Sequence, residues 1–325
     1  MTTQPDTPAP TEQLDDGVLA IDTMTAGMSK VTAGYLIQAP RPTLVECGPA
    51  LSIGGVIAGL QAIGMQADDL AYLVVSHIHL DHAGGAGDVA QAFPNATIVC
   101  SELGARHMVD PQRLNSSSKR VYGPLYDLVY GACTPIEAGR IRAVGQRDSL
   151  DLGGGRRLDL FHAPGHAKHH IGIFEPDSGD LFVGDSVGVK LPGMNVIRPA
   201  TPPPDFDYVL AQDTLTRYQD LNPARVYLAH YGLVDPPQES LAEASERLGV
   251  WLQAAEEAWS DNADLDHVAE TLGHRFNDEV PTIDGDDESA SRVELMSGIQ
   301  SNAMGLTRYL DLRAQGRVAT STGDA

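Results

Sequence analysis

Three histidines and an aspartate fall within six positions in Ser76-His77-Ile78-His79-Leu80-Asp81-His82-Ala83-Gly84-Gly85. Neutral imidazole nitrogens and carboxylate oxygens together suit Zn²⁺, and also Fe or Mn, so this stretch has the chemistry of a metal-binding loop. With 11 histidines in 325 residues, three in six positions is not the spacing of an incidental polar loop. The apolar run Leu73-Val74-Val75 before it reads as a buried strand, and the glycines after it as a turn that opens a helix.

A metal centre needs more donors than one loop supplies, and three downstream strand ends offer them. Leu158-Asp159-Leu160-Phe161-His162-Ala163-Pro164-Gly165-His166 is a strand, a Pro-Gly turn and a histidine. Asp180-Leu181-Phe182-Val183-Gly184-Asp185 ends in Gly-Asp, and Arg225-Val226-Tyr227-Leu228-Ala229-His230-Tyr231-Gly232 ends in a histidine. In each, an apolar β run delivers a donor just beyond its end, and an adjacent glycine permits a tight turn. His162 reads instead as a packed histidine, and His107, His267 and His274 as surface residues of helical stretches.

The elements that must hold these donors follow from periodicity. Strands are expected at 17–22, 34–38, 43–46, 71–75, 96–100 and 225–229, with a second sheet over 141–185. Helices are expected at 51–65, 84–93, 101–109 and 205–221, the last with Asp205 as a plausible N-cap. Tyr122, Tyr126 and Tyr130 recur every four residues, which predicts one helix face. That face either packs on the core or forms a lid over the donors. A Pro- and Gly-rich loop over 186–204 follows Asp185 and is expected to border the site. Helices at 238–259, 264–276 and 288–315 come last, and Asp284-Gly285-Asp286-Asp287-Glu288 reads as loop.

In order, spacing and local context these motifs resemble the metallo-β-lactamase-fold hydrolases, most closely their glyoxalase II-like branch. The resemblance covers residues 17–235 and implies an α/β fold, a four-layer αββα sandwich with a helical C-terminal extension. It implies two divalent ions, Zn first and Fe or Mn as alternatives. His77, His79 and His166 would hold one ion, Asp81, His82 and His230 the other, and Asp185 would bridge them. Asp81 would also orient a hydroxide shared by the ions. Glu46, in Val45-Glu46-Cys47-Gly48, stands where the family usually has aspartate, and would support the ligands from behind, as would His170. His169 is either pocket wall or surface. Tyr122, Tyr126 and Tyr130 are candidate substrate-pocket residues. The implied function is hydrolysis of an ester, thioester or lactone of a small molecule. The alternatives are a non-catalytic metal-dependent binding protein and a phosphoester or nucleic-acid hydrolase of the same superfamily.

The implied organisation is a disordered leader (1–16), a catalytic domain (17–235) with a lid-like insertion (101–140), a helical extension (236–316) and a disordered tail (317–325). The leader resembles no signal peptide, and no apolar run is long enough to span a membrane. Three scattered cysteines form no zinc ribbon or disulfide framework, so a reducing cytoplasm is the expected location. The net charge of −22, from 22 basic and 44 acidic residues, repels phosphate backbones. The expected partner is therefore a small molecule, with neither nucleic acid nor membrane.

Overall fold

The structure is a computed structural model that describes residues 7–15, 17–279 and 287–318. The chain divides into two compact units: Met1–His162 with Ile171–Phe182, and Ala163–His170 with Val183–Ala325.

The first unit is built on a seven-stranded sheet, in spatial order β1 (Thr11–Gln13), β2 (Val18–Asp22), β3 (Ala33–Ile37), β4 (Thr43–Val45), β5 (Tyr72–Val74), β6 (Thr97–Ser101) and β7 (Ile141–Val144). β1 to β4 pair antiparallel and β4 to β7 parallel. The parallel half needs crossovers, and helices provide them. α1 (Ile53–Ala62) joins β4 to β5, and the single turn α2 (Leu80–Ala83) with α3 (Ala86–Ala92) joins β5 to β6. α4 (Glu102–Val109) and α5 (Gln112–Tyr122) lie between β6 and β7. β2 and β3 are buried at every residue, and their apolar runs suit a sheet covered on both faces. One core joins Leu44, Leu73, Val75 and Ile98 of the sheet region to Val56 and Leu60 of α1 and to Val89 and Phe93 around α3.

Four further strands form an antiparallel run: β8 (Arg147–Gly153), β9 (Arg156–His162), β10 (Ile171–Glu175) and β11 (Asp180–Phe182). Arg156, at the start of β9, forks onto Glu175 at the end of β10, at 2.6 and 3.0 Å. Its third contact, 2.9 Å to the Gln38 carbonyl, ties this run to the end of β3.

The second unit holds α6 (Tyr208–Asp220), the hairpin β12 (Arg225–Leu228) and β13 (Gly232–Val234), and then α7 (Pro237–Asp261), α8 (Leu265–Arg275), α9 (Asp287–Ser297) and α10 (Ile299–Ala314). Trp251 of α7 stacks on Phe276 with ring centroids 4.4 Å apart, an anchor between the long helix and the end of α8. Asp264 caps α8 by accepting from the His267 N–H. Among the described residues, no helix is long and apolar enough to cross a membrane.

The structure departs from the sequence expectations at several points. Residues 11–13 form β1 against β2, so this part of the leader is ordered. β7 pairs with β6 and belongs to the first sheet, whereas the sequence reading gives it to the second. The cap of α6 is Asp207, whose carboxylate accepts from the Leu210 N–H, not Asp205. The three tyrosines do not share one helix face. Gly123 takes φ +54° and ends α5 at Tyr122, and Tyr126–Tyr130 is a separate π-helical turn. The expected helix over 288–315 is two helices meeting at Gly298. Asp287 and Glu288, expected in a loop, begin α9, while Asp284 and Asp286 lie outside the described residues. The C-terminal helices fall in one unit with the segments that carry His166, Asp185 and His230, not in a unit of their own.

Candidate metal centre

β5 delivers the first cluster of donors. The strand ends where the Ser76 N–H meets the Glu46 carboxylate, at 3.2 and 3.3 Å to its two oxygens. His77 follows, fully buried, with Nδ1 2.9 Å from the Ser76 hydroxyl. Its Nε2 lies 2.8 Å from Nδ1 of His79. The next turn is α2, which places Asp81 and His82 one residue apart on a single helical turn. His82 Nε2 faces Asp81 at 3.5 Å, and its Nδ1 faces Glu46 at 3.6 Å. The His82 carbonyl accepts from the N–H groups of Cys47 and Gly48, so the loop after β4 grips the histidine turn through its backbone. Glu46 itself takes φ +60°, a left-handed conformation uncommon for a residue with a side chain. That backbone accompanies a carboxylate aimed at both the Ser76 amide and the His82 ring.

The second unit holds the other three donors. His166 follows Gly165, whose φ of +133° and lack of a Cβ let the turn lie directly on the α6 backbone at Ala211. His166 Nδ1 lies 3.0 Å from the Ala200 carbonyl. A carbonyl only accepts, so Nδ1 carries the proton and Nε2 presents its lone pair. That Nε2 faces Asp185 Oδ2 at 3.5 Å, and Nε2 of His230 faces Asp185 Oδ1 at 3.4 Å. One carboxylate therefore addresses two imidazoles, one through each oxygen. The Asp185 backbone is held too, its N–H donating to Nε2 of His170 at 3.3 Å. His170 closes its own turn by donating its N–H to Ala167 and accepting from Ala163.

The donor set fits a divalent metal. It is made of imidazole nitrogens and carboxylate oxygens, its ring nitrogens face one another or a carboxylate, and neighbouring groups hold the rings from behind. Histidine and aspartate side chains of this kind could hold a metal ion. The tyrosines behave differently from the donors. Tyr126 and Tyr130 are buried and Tyr122 is half-buried against Tyr130, ring centroids 4.6 Å apart. Among the other histidines, His162, His169, His107 and His267 are half-buried and His274 is exposed. Sequence reasoning missed Ser76 and the Ala200 carbonyl. The first was visible as a hydroxyl beside His77; a backbone oxygen 34 residues from its histidine leaves no sequence signal.

A profile of the metallo-β-lactamase superfamily matches residues 32–230, a span that contains every donor described above. The chain belongs to the metallo-β-lactamase superfamily. A metallo-β-lactamase fold-containing protein of Sulfurisphaera tokodaii is 33% identical over 217 residues, 65% of this chain and 80% of that protein. The solved structure of an archaeal metallo-β-lactamase superfamily protein from Sulfolobus tokodaii superposes with a TM-score of 0.63 at 24% identity, covering 89% of this chain and 98% of the other. A superfamily protein from Thermus thermophilus gives 0.60 at 18% identity, covering 94% and 95%. Two sheets with helices and a helical C-terminal part match this fold. A hydroxyacylglutathione hydrolase of Legionella pneumophila is 26% identical over 118 residues, 36% of this chain and 34% of that enzyme. The superfamily consists mostly of metal-dependent hydrolases, and this chain carries histidine and aspartate groups that could hold a metal.

Proposed function

We propose that the chain is a binuclear metal-dependent hydrolase that cleaves an ester, thioester or lactone of a small molecule. In this reading His77, His79 and His166 hold one ion, Asp81, His82 and His230 hold the other, and Asp185 joins them. The observation that carries it is Asp185, whose two oxygens each face a different imidazole. Donor chemistry favours Zn, with Fe or Mn also suited. Two such ions supply Lewis acidity and ionise water near neutral pH.

The chain's own residues supply position. Glu46 holds the His82 ring and the end of β5 together, and His170 fixes the backbone that presents Asp185. Asp81, partly exposed beside His82, can accept a proton from an attacking water and orient it. The partial match to hydroxyacylglutathione hydrolases makes thioesters the first class to test. The −22 charge supports a small-molecule substrate over a polyanion, and three buried free thiols suit a cytoplasmic setting.

The test combines elemental analysis of protein purified without chelator with a panel of thioesters, lactones, carboxyl esters and phosphoesters, S-lactoylglutathione among them. Two ions per chain and turnover of a carbonyl substrate are expected. Bound ions with no turnover would favour a non-catalytic binding protein, and phosphoester turnover alone would move the chemistry to phosphorus. No metal even after reconstitution would remove the binuclear site.

A further inference from the structure

The C-terminal helices reach back to the residue that sets His166. Ala200, whose carbonyl holds His166 Nδ1, is pinned on both sides by one buried side chain, Asn302 of α10. On the upstream side, Asn302 Nδ2 donates to the Pro199 carbonyl at 3.1 Å, and the Ser297 hydroxyl donates to the same oxygen at 2.7 Å. On the downstream side, Asn302 Oδ1 accepts from the Thr201 N–H at 2.7 Å and lies 2.8 Å from the Thr201 hydroxyl. That hydroxyl also reaches the Asn302 carbonyl at 3.2 Å. Asn302 in turn is anchored to the end of α9, donating to the Ser297 hydroxyl at 2.9 Å. The close approach requires Gly305, one turn along α10, because a Cβ there would overlap the Thr201 carbonyl oxygen.

An asparagine side chain offers one acceptor and two N–H donors, and here both kinds are used on the two residues flanking Ala200. The Ala200 carbonyl shares its peptide plane with the Thr201 N–H, so rotating it would break the bond to Asn302 Oδ1, while the bonds to the Pro199 carbonyl hold the preceding peptide. The carbonyl is therefore a fixed acceptor, and the His166 ring that donates to it has a fixed orientation and a fixed tautomer. We propose that Asn302 is a positioning residue for the metal centre, acting through Ala200 on His166. The inference rests on the proposed metal centre only for its consequence; the coupling of Asn302 to the His166 ring stands apart from it.

Two variants test it: Asn302→Ala, and Thr201→Val, which keeps the side-chain shape and removes only the hydroxyl contacts. Nitrogen-15 NMR of the histidine rings reports which His166 nitrogen carries the proton and how fast it exchanges, with His166→Gln giving the assignment. Competition with a chromophoric chelator reports zinc affinity. Wild type should show a slowly exchanging Nδ1–H. In Asn302→Ala that proton should exchange at least about tenfold faster, and one of the two zinc ions should bind roughly tenfold more weakly, as for other groups that support a ligand from behind. Thr201→Val should shift both readouts in the same direction by less. Turnover should fall through kcat with KM held.

A folded Asn302→Ala protein with wild-type exchange and affinity overturns the inference. If that variant does not fold, Asn302→Asp, which keeps the Oδ1 acceptor and loses the Nδ2 donation to Pro199, takes its place, and wild-type exchange and affinity in it overturn the inference. A wild type that binds no ion defeats the proposed function, and the NMR comparison then decides this inference alone.

Discussion

Asp185 and Glu46 are two buried carboxylates set for different work. Asp185, 6% exposed, has an imidazole opposite each oxygen, so its replacement removes a contact from His166 and from His230 at once. Asp185→Ala is expected to abolish turnover and lower metal content while the melting temperature stays within a few degrees. Wild-type turnover in that variant would exclude a joining role. Glu46 faces the His82 imidazole, and its contact with the Ser76 N–H is structural. Removing its carboxylate leaves the buried Ser76 N–H without its acceptor, which costs about 1–3 kcal/mol. Its φ of +60° adds a second effect. Alanine at 46 keeps the left-handed strain and glycine relieves it, so Glu46→Gly should be more stable than Glu46→Ala by roughly 1 kcal/mol. Chemical denaturation of the pair checks the order. Metal affinity should fall in both, because both remove the group facing His82.

At the scale of elements, the strands that carry donors were legible because an apolar run and a ligand at its end repeat with little variation. β5, β6 and β12 lie within a residue or two of their expected bounds, and the seven candidate donors are read from these local patterns. What escaped was decided elsewhere. The tyrosine spacing was helical, yet one glycine with φ +54° broke it. β7 has nothing in its composition to say which sheet it joins. The bonds from Asn302 to Thr201 cross 101 residues, a separation no periodicity records. Arg156 and Glu175 are of the same kind, 19 residues apart and legible only as a pair in space. Glu175 is fully buried, so Arg156→Ala would leave a buried carboxylate without its guanidinium and free the start of β9 from Gln38. The expected loss is about 3 kcal/mol, toward the low end for a broken buried pair because the guanidinium is partly exposed. Urea unfolding would measure it, and metal content should not change. A loss below about 1 kcal/mol, the range of surface pairs, would mean the pair only decorates the edge.

For the molecule as a whole, a net charge of −22 is the dominant long-range property. Like charges repel more in the compact state than in the extended chain, and salt screens them over a distance of about 10 Å at 0.1 M. The melting temperature should therefore rise as sodium chloride increases from about 0.01 to 0.3 M. The rate constant kcat/KM for an anionic thioester should rise over the same range, while that for a neutral lactone stays level. A melting temperature that falls with salt would show that attractive pairs outweigh the net repulsion. The clamp on Ala200 carries a different consequence, one of timing. A chain emerging from the ribosome exposes His166, Asp185 and His230 well before α10, and synthesis adds only about 5–20 residues per second. For several seconds the nascent chain holds these donors without Asn302, the residue that fixes Pro199 and Thr201 around the His166 acceptor. In the proposed centre, full affinity at His166 would then arrive only near the end of translation. On that reading, a product cut short between His230 and Asn302 would compete for the metal at a disadvantage of roughly tenfold against finished copies.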